Sequence, residues 1–238
     1  MNMIIKKTFL FLILVFSLVA CKKEKTTQSS NDLGKPGANI TDNEGNVYKT
    51  VTIGNQHWMA ENLKVSKYND GSAIPNINID SLWKNNTTGA WAYHNNDTTN
   101  NAKYGKLYNW FVVNPTMNGN KNVCPSGWHV PTDAEWTVLT NFLGGELVAG
   151  GKMKEVDTIS WNKPNTAANN KSLFTALPGG SRNYDGTFEP IGKFGNWWTS
   201  TEDYTFFAWY RNLNESNGAA SKGSGLEESG FSVRCLRD

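Results

Sequence analysis

All ten tryptophans of this 238-residue chain fall between Trp58 and Trp209. Indole rings are large, rigid and mostly apolar, so each must be enclosed from several sides. A chain that scatters them this widely needs a core gathered from many segments. The text around them is rich in Gly and Asn, which build turns rather than long helices. Together these features predict a loop-heavy domain built around aromatic rings, and they argue against a helical bundle.

Local patterns predict the elements. Asn46 to Ala60 alternates and is broken by Gly54-Asn55, which reads as a β-hairpin after an Asp42–Asn46 turn. Residues 64–103 are irregular and Asn-rich, a long decorated loop. Leu107, Trp110 and Phe111 have helical spacing and precede the stop Asn114-Pro115. A firmer helix begins at Thr132-Asp133-Ala134-Glu135, a capping box in which hydroxyl and carboxylate each bond the other residue's amide. Trp136, Leu139, Phe142 and Leu143 form its apolar stripe, and Gly144-Gly145 ends it. Beyond Gly150 the helical period is lost. Short strands are expected at 173–177, 195–201, 206–213 and 230–237, with an exposed loop over 214–229. Helices early and antiparallel strands late make a single α+β domain of about 200 residues.

The start of the chain carries a different message. Lys6 and Lys7 precede an apolar run from Phe9 to Val19, shorter than the roughly 20 residues of a membrane-spanning helix. The run ends in Leu18-Val19-Ala20-Cys21, which resembles the lipobox of bacterial lipoproteins. Residues 1–20 are then a signal peptide, Cys21 takes the lipid, and residues 21–39 form a polar tether to a domain at 40–238. As a flexible coil the tether would reach roughly 20–25 Å. Loss of Lys6 and Lys7 leaves 21 basic and 21 acidic residues. A neutral chain without a basic stripe is a poor candidate for nucleic acid. Cys124 and Cys235 remain as an even pair in an exported chain, which points to one disulfide; two buried free thiols is the other reading.

Seven ordered blocks carry a resemblance. They are Gly45–Val51, Trp58–Leu63, Tyr104–Trp110, Cys124–Thr132, Leu177–Gly180, Trp197–Glu202 and Gly230–Cys235. Across about residues 42–238 the chain resembles the Fibrobacter succinogenes major paralogous domain family, found in surface and secreted bacterial proteins that are often lipoproteins. That family looks related to C-type-lectin-like folds, which include the formylglycine-generating, sulfatase-modifying enzymes. The resemblance implies two helices flanking a twisted antiparallel sheet, neighbouring termini and an irregular long-loop region. It implies no defined activity.

Several chemistries can be weighed. Sugar-binding lectins hold Ca²⁺ through a Glu-Pro-Asn or Gln-Pro-Asp loop followed by Trp-Asn-Asp. Here Lys163-Pro164-Asn165 sets a cation where a carboxylate is needed, and Glu189-Pro190-Ile191 lacks the set, so this calcium site is not expected. With Cys21 lipidated and the other two cysteines paired, no thiol is left for oxidation or nucleophilic attack. His57, His94 and His129 are scattered without metal-ligand spacing, and no metal or cofactor is expected. Glu202-Asp203 is one acidic pair without a readable partner.

Trp197 and Trp198 neighbour each other in a predicted strand, so their rings point to opposite faces: one lies in the core and the other is exposed, or both are buried under loops. Arg182, Asn183, Tyr184, Trp198, Glu202, Asp203, Tyr204, Trp209 and Arg211 mix aromatic faces with planar polar groups, the chemistry of glycan or peptide contact. The expectation is a non-catalytic binding module for glycan or protein, anchored by lipid to a membrane of the cell envelope, the outer membrane foremost. A structural or assembly component of the envelope is the alternative, and a carboxylate-based glycan hydrolase ranks last.

Overall fold

The structure, a computed structural model, describes residues 32–238. Cys21, the signal segment and the tether as far as residue 31 lie outside the described residues. Among the described residues no helix is long and apolar enough to cross a membrane.

The fold is mixed α and β, with several small antiparallel sheets and few helices. The hairpin expected near Gly54-Asn55 is present: Thr50–Ile53 pairs with Gln56–Met59 across that turn. It lies in a five-stranded sheet with Gly34–Pro36 on its outer edge and Leu236–Arg237 then Trp128–His129 on the other side. Strands from both ends of the described chain thus share one sheet. Gly34–Pro36 was expected to be tether. Instead it pairs with Val51–Ile53, and the amides of Leu33 and Gly34 donate to the Lys171 carbonyl.

The capped helix runs Asp133–Phe142, with both halves of its capping box formed. A second helix, Glu146–Met153, follows the Gly144-Gly145 break. Sequence reading missed it because of its internal Gly150-Gly151. Those glycines are required by close packing: a Cβ on Gly150 would meet the Ala219 carbonyl oxygen at 1.9 Å. Of the earlier helix predicted around Leu107, only Trp110–Val113 is helical, because Leu107–Tyr108 pairs as a strand with Trp91–Ala92.

The longest ladder is the hairpin Phe194–Tyr204 and Phe207–Asn214, extended by Ser221–Leu226 into a three-stranded sheet. The loop expected over 214–229 therefore contains a strand. The strand expected at 173–177 is absent as such. Leu173 and Thr175 have positive φ, and the Phe174 and Thr175 carbonyls accept from the Arg234 guanidinium. Only an isolated bridge joins Ala176 to Lys154.

Trp197 and Trp198 do point to opposite faces, and both are fully buried. Trp198 belongs to a cluster with Tyr108, Trp110 and Phe231. Trp197 belongs to a second one with Trp58, Trp136 and Phe174. One strand is therefore a wall between two cores. The disulfide Cys124–Cys235 closes a separation of 111 residues, with Cα atoms 5.9 Å apart, and ties the segment before Trp128–His129 to the sheet's inner strand.

Candidate functional site

The three-stranded sheet carries the most exposed aromatic surface that a ligand could meet. Thr205 and Phe206 form the two-residue turn of its long hairpin, with Phe206 at φ 71°. Positive φ strains an ordinary side chain, so Phe206 is a costly residue for this place. Its ring is 65 % exposed. Tyr204 and Phe207 close the ladder opposite one another, their rings stacked with centroids 4.6 Å apart.

Side chains alternate along a strand, so Phe207 and Trp209 share a face. Leu226 lies opposite Phe207 on the third strand, and Lys222 from that strand places its ammonium 3.5 Å from the Trp209 ring centroid. The same ammonium bonds Asp133 at 2.8 Å. This face is thus a row of rings, Tyr204, Phe207 and Trp209, ending at a lysine held by the capped helix. Flat rings with a polar group at one end suit contact with sugar or peptide.

The opposite face of this end is acidic. Glu202 pairs with Ala208, whose side chain enters the core with Trp198. Glu227 follows the third strand; its amide donates to the Phe206 carbonyl, and its own carbonyl accepts from the Trp110 amide. Its side chain is 2 % exposed, and Oε1 has no partner. Burial, with the charges of Glu202 and Glu228, pushes the Glu227 carboxyl up to about 7.

Of the residues expected to meet a ligand, Glu202, Asp203, Tyr204 and Trp209 gather at this hairpin end. Three others are interior. Arg182 is fully buried between the rings of Trp83 and Phe188, bonding Asp80 and the carbonyls of Ile77 and Gly186. Arg211 is buried and paired with Asp133 at 2.6 Å. Trp198 is enclosed by Tyr210 and Phe231, and its indole N–H donates to the Tyr108 carbonyl. These three are corrections to a solvent-facing reading: each is engaged by partners distant in sequence. Asn183 and Tyr184 sit on the turn between Ser181–Arg182 and Phe188–Glu189, where Tyr184 is exposed. No hydrogen bond, ion pair or ring contact joins that turn to the hairpin end among the described residues. Phe206 and Glu227 were missed by sequence reasoning, which places Phe206 at the start of a strand rather than in the turn before it, and Glu227 in a loop.

The histidines have structural surroundings. His94 is buried against the Glu189 carbonyl, and burial lowers it from its ordinary value. His57 lies between the hydroxyls of Thr50 and Thr52. His129 bridges Glu135 and Asp238. Asn165, in the segment that sequence reading compared with lectin calcium loops, is buried, and its amide donates to the carbonyls of Glu155 and Asp157. Among the described residues no three His, Cys, Asp or Glu side chains are grouped to hold a metal ion.

No protein of curated function matches the sequence. The profile of the Fibrobacter succinogenes major domain matches residues 51–237, a span that includes the hairpin sheet, both helices and the disulfide, so the chain belongs to that family.

Proposed function

We propose that this chain is a lipoprotein of the bacterial cell envelope, anchored through Cys21 to a membrane, the outer membrane foremost, and that its domain is a non-catalytic binding module for glycan or protein. The lipobox-like Leu18–Cys21 supports the anchor. In this reading the domain is C-type-lectin-like, supported by strands from both ends in one sheet and by the two helices beside it. The observation that carries the binding role is the row of rings on one face of the hairpin sheet, exposed Tyr204 followed by half-buried Phe207 and Trp209. Rings left half-exposed in a chain that buries Trp58, Trp83, Trp110, Trp136, Trp161, Trp197 and Trp198 completely are available for contact rather than for packing.

An array of envelope glycans and surface proteins probed with the full-length chain tests this. A ligand whose binding is lost in Tyr204→Ala and in Trp209→Ala, with the near-UV circular dichroism unchanged, supports the assignment. Binding that survives both changes, or no ligand at all, overturns it. Labelled palmitate should enter the wild type and not Cys21→Ser; equal labelling of the two removes the anchor.

A further inference from the structure

A surface helix buries one stripe and turns charged or polar residues outward. The helix Asp133–Phe142 buries Trp136 and Leu139 in the core cluster of Trp58 and Trp197, yet its outward stripe is Ala134, Val138 and Phe142. The next helix, Glu146–Met153, continues the pattern at its first turn, where Leu147 is 82 % exposed. Val138, Phe142 and Val148 are each about half exposed. From Trp136 to Gly151 the only charged residue is Glu146, and its carboxylate accepts from the Lys222 amide and lies 4.0 Å from Arg211. Single exposed apolar side chains are ordinary. Four of them on two consecutive helices, with one engaged charge among them, form a surface that water solvates poorly.

The place where the chain enters the domain bears on what this surface meets. Leu33 and Gly34 donate their amides to the Lys171 carbonyl, and Gly34 pairs with Ile53. The residue after Ile53 is Gly54, where a Cβ would lie 3.0 Å from the Phe142 ring. Entry is therefore beside the exposed stripe. Eleven residues, 21–31, separate Cys21 from the described chain. A coil of that length would reach roughly 20 Å, about half the diameter of a compact domain of about 200 residues. A link so short turns the entry side of an anchored domain toward the lipid.

We propose that the outward face of the two helices, formed by Val138, Phe142, Leu147 and Val148, lies on the lipid surface in which Cys21 is anchored. This rests on the anchor reading above and adds the orientation of the domain. The apolar side chains enter the boundary between head groups and acyl chains, a layer reached by dipping about 5–10 Å. Helical backbone is already hydrogen-bonded, so it loses little on leaving water. The contact needs no spanning helix, and among the described residues none is long and apolar enough to be one. A second copy of the chain or a partner protein would cover the same side chains, and the test separates these occupants.

The test uses the lipid-anchored chain in vesicles of phosphatidylethanolamine and phosphatidylglycerol. A nitroxide is attached at Leu147→Cys or, for reference, at Leu82→Cys. Leu82 is also an exposed leucine, on the helix Asp80–Lys84, whose Trp83 packs in a separate cluster with Ala90 and Ala92. Collisions of the nitroxide with dissolved oxygen, which concentrates in lipid, are compared with collisions with a water-soluble nickel chelate. The oxygen-to-nickel ratio should be severalfold higher at Leu147 than at Leu82. Val138→Asp with Val148→Asp should bring the Leu147 ratio down to the Leu82 value, with near-UV circular dichroism unchanged. Both valines are surface residues, so the fold is expected to tolerate the change.

Equal ratios at Leu147 and Leu82, in vesicles that retain the chain, overturn the proposal and leave the anchor standing. A high Leu147 ratio that survives both aspartates also overturns it, because the label alone would then be entering the lipid. Shielding of Leu147 from oxygen and nickel alike, growing with the number of chains per vesicle, assigns the face to a second copy instead. Shielding that appears only on addition of a protein ligand assigns it to that partner. A chain that takes up no palmitate and is not retained by the vesicles removes the anchor and the contact together.

Discussion

Lys154 has no exposed surface, yet its ammonium donates to three main-chain carbonyls, those of Thr166, Asn214 and Asn217, each at 2.9 Å. Three donors meet three acceptors, so a single cation pins two separate loops. Lys154→Met keeps most of the volume and strands all three carbonyls. It should destabilise the fold by about 2–4 kcal/mol in urea unfolding, whereas a loss below 1 kcal/mol would show that water takes over the three bonds. Glu227 makes the opposite kind of residue-scale statement. Its folded carboxyl keeps its proton up to about pH 7, while in the unfolded chain the proton leaves near the ordinary value of 4.5. Between these values the native state binds more protons than the unfolded one, so this group makes stability fall as pH rises through the window. Melting curves at pH 5 and pH 8 should show a loss at pH 8 that Glu227→Gln largely removes. An unchanged pH dependence in that variant would refute the assignment.

Among the elements, the capped helix was legible because its signals are local. Thr132 and Glu135 are three residues apart and bond each other's amides, at 3.2 Å and 2.8 Å. Thr132→Ala should remove about 1 kcal/mol, read as a lower melting temperature, without affecting ligand binding. The hairpin around Gly54-Asn55 was legible for the same reason. Elements fixed by distant partners were not. Gly150 and Gly151 discourage a helix in isolation, yet backbone from Ala219 and Ala167 comes so close that only glycine fits. Ser221–Leu226, with Gly223 and Gly225, has little intrinsic strand preference; the Tyr210 ring covers both glycines, where a Cβ on Gly223 would lie 2.5 Å from it. Leu173–Leu177 has the composition of a strand but its carbonyls are claimed by Arg234. The candidate site divides in the same way. Trp209 was readable as a residue type in a strand and Tyr204 as an aromatic between two expected strands, whereas Arg182, Trp198 and Arg211 were misjudged because Asp80, Tyr108 and Asp133, which enclose them, are distant in sequence.

Across the whole molecule, the Cys124–Cys235 link closes a separation of 111 residues, which chain-entropy reasoning values at about 4–5 kcal/mol as an upper bound. The double change Cys124→Ser with Cys235→Ser should lower unfolding stability by up to that amount, measured by urea titration under non-reducing conditions. No loss at all would mean that the unlinked chain already restricts its unfolded state. The wall formed by Trp197 and Trp198 bears on how such a loss spreads. A single strand sends one indole into each core, so neither core can open without drawing away a ring that fills the other. The two halves are therefore expected to melt as one cooperative unit. Amides of the Trp58 and Tyr108 regions, on either side of the wall, should exchange with solvent deuterium through the same global opening rather than through separate local ones.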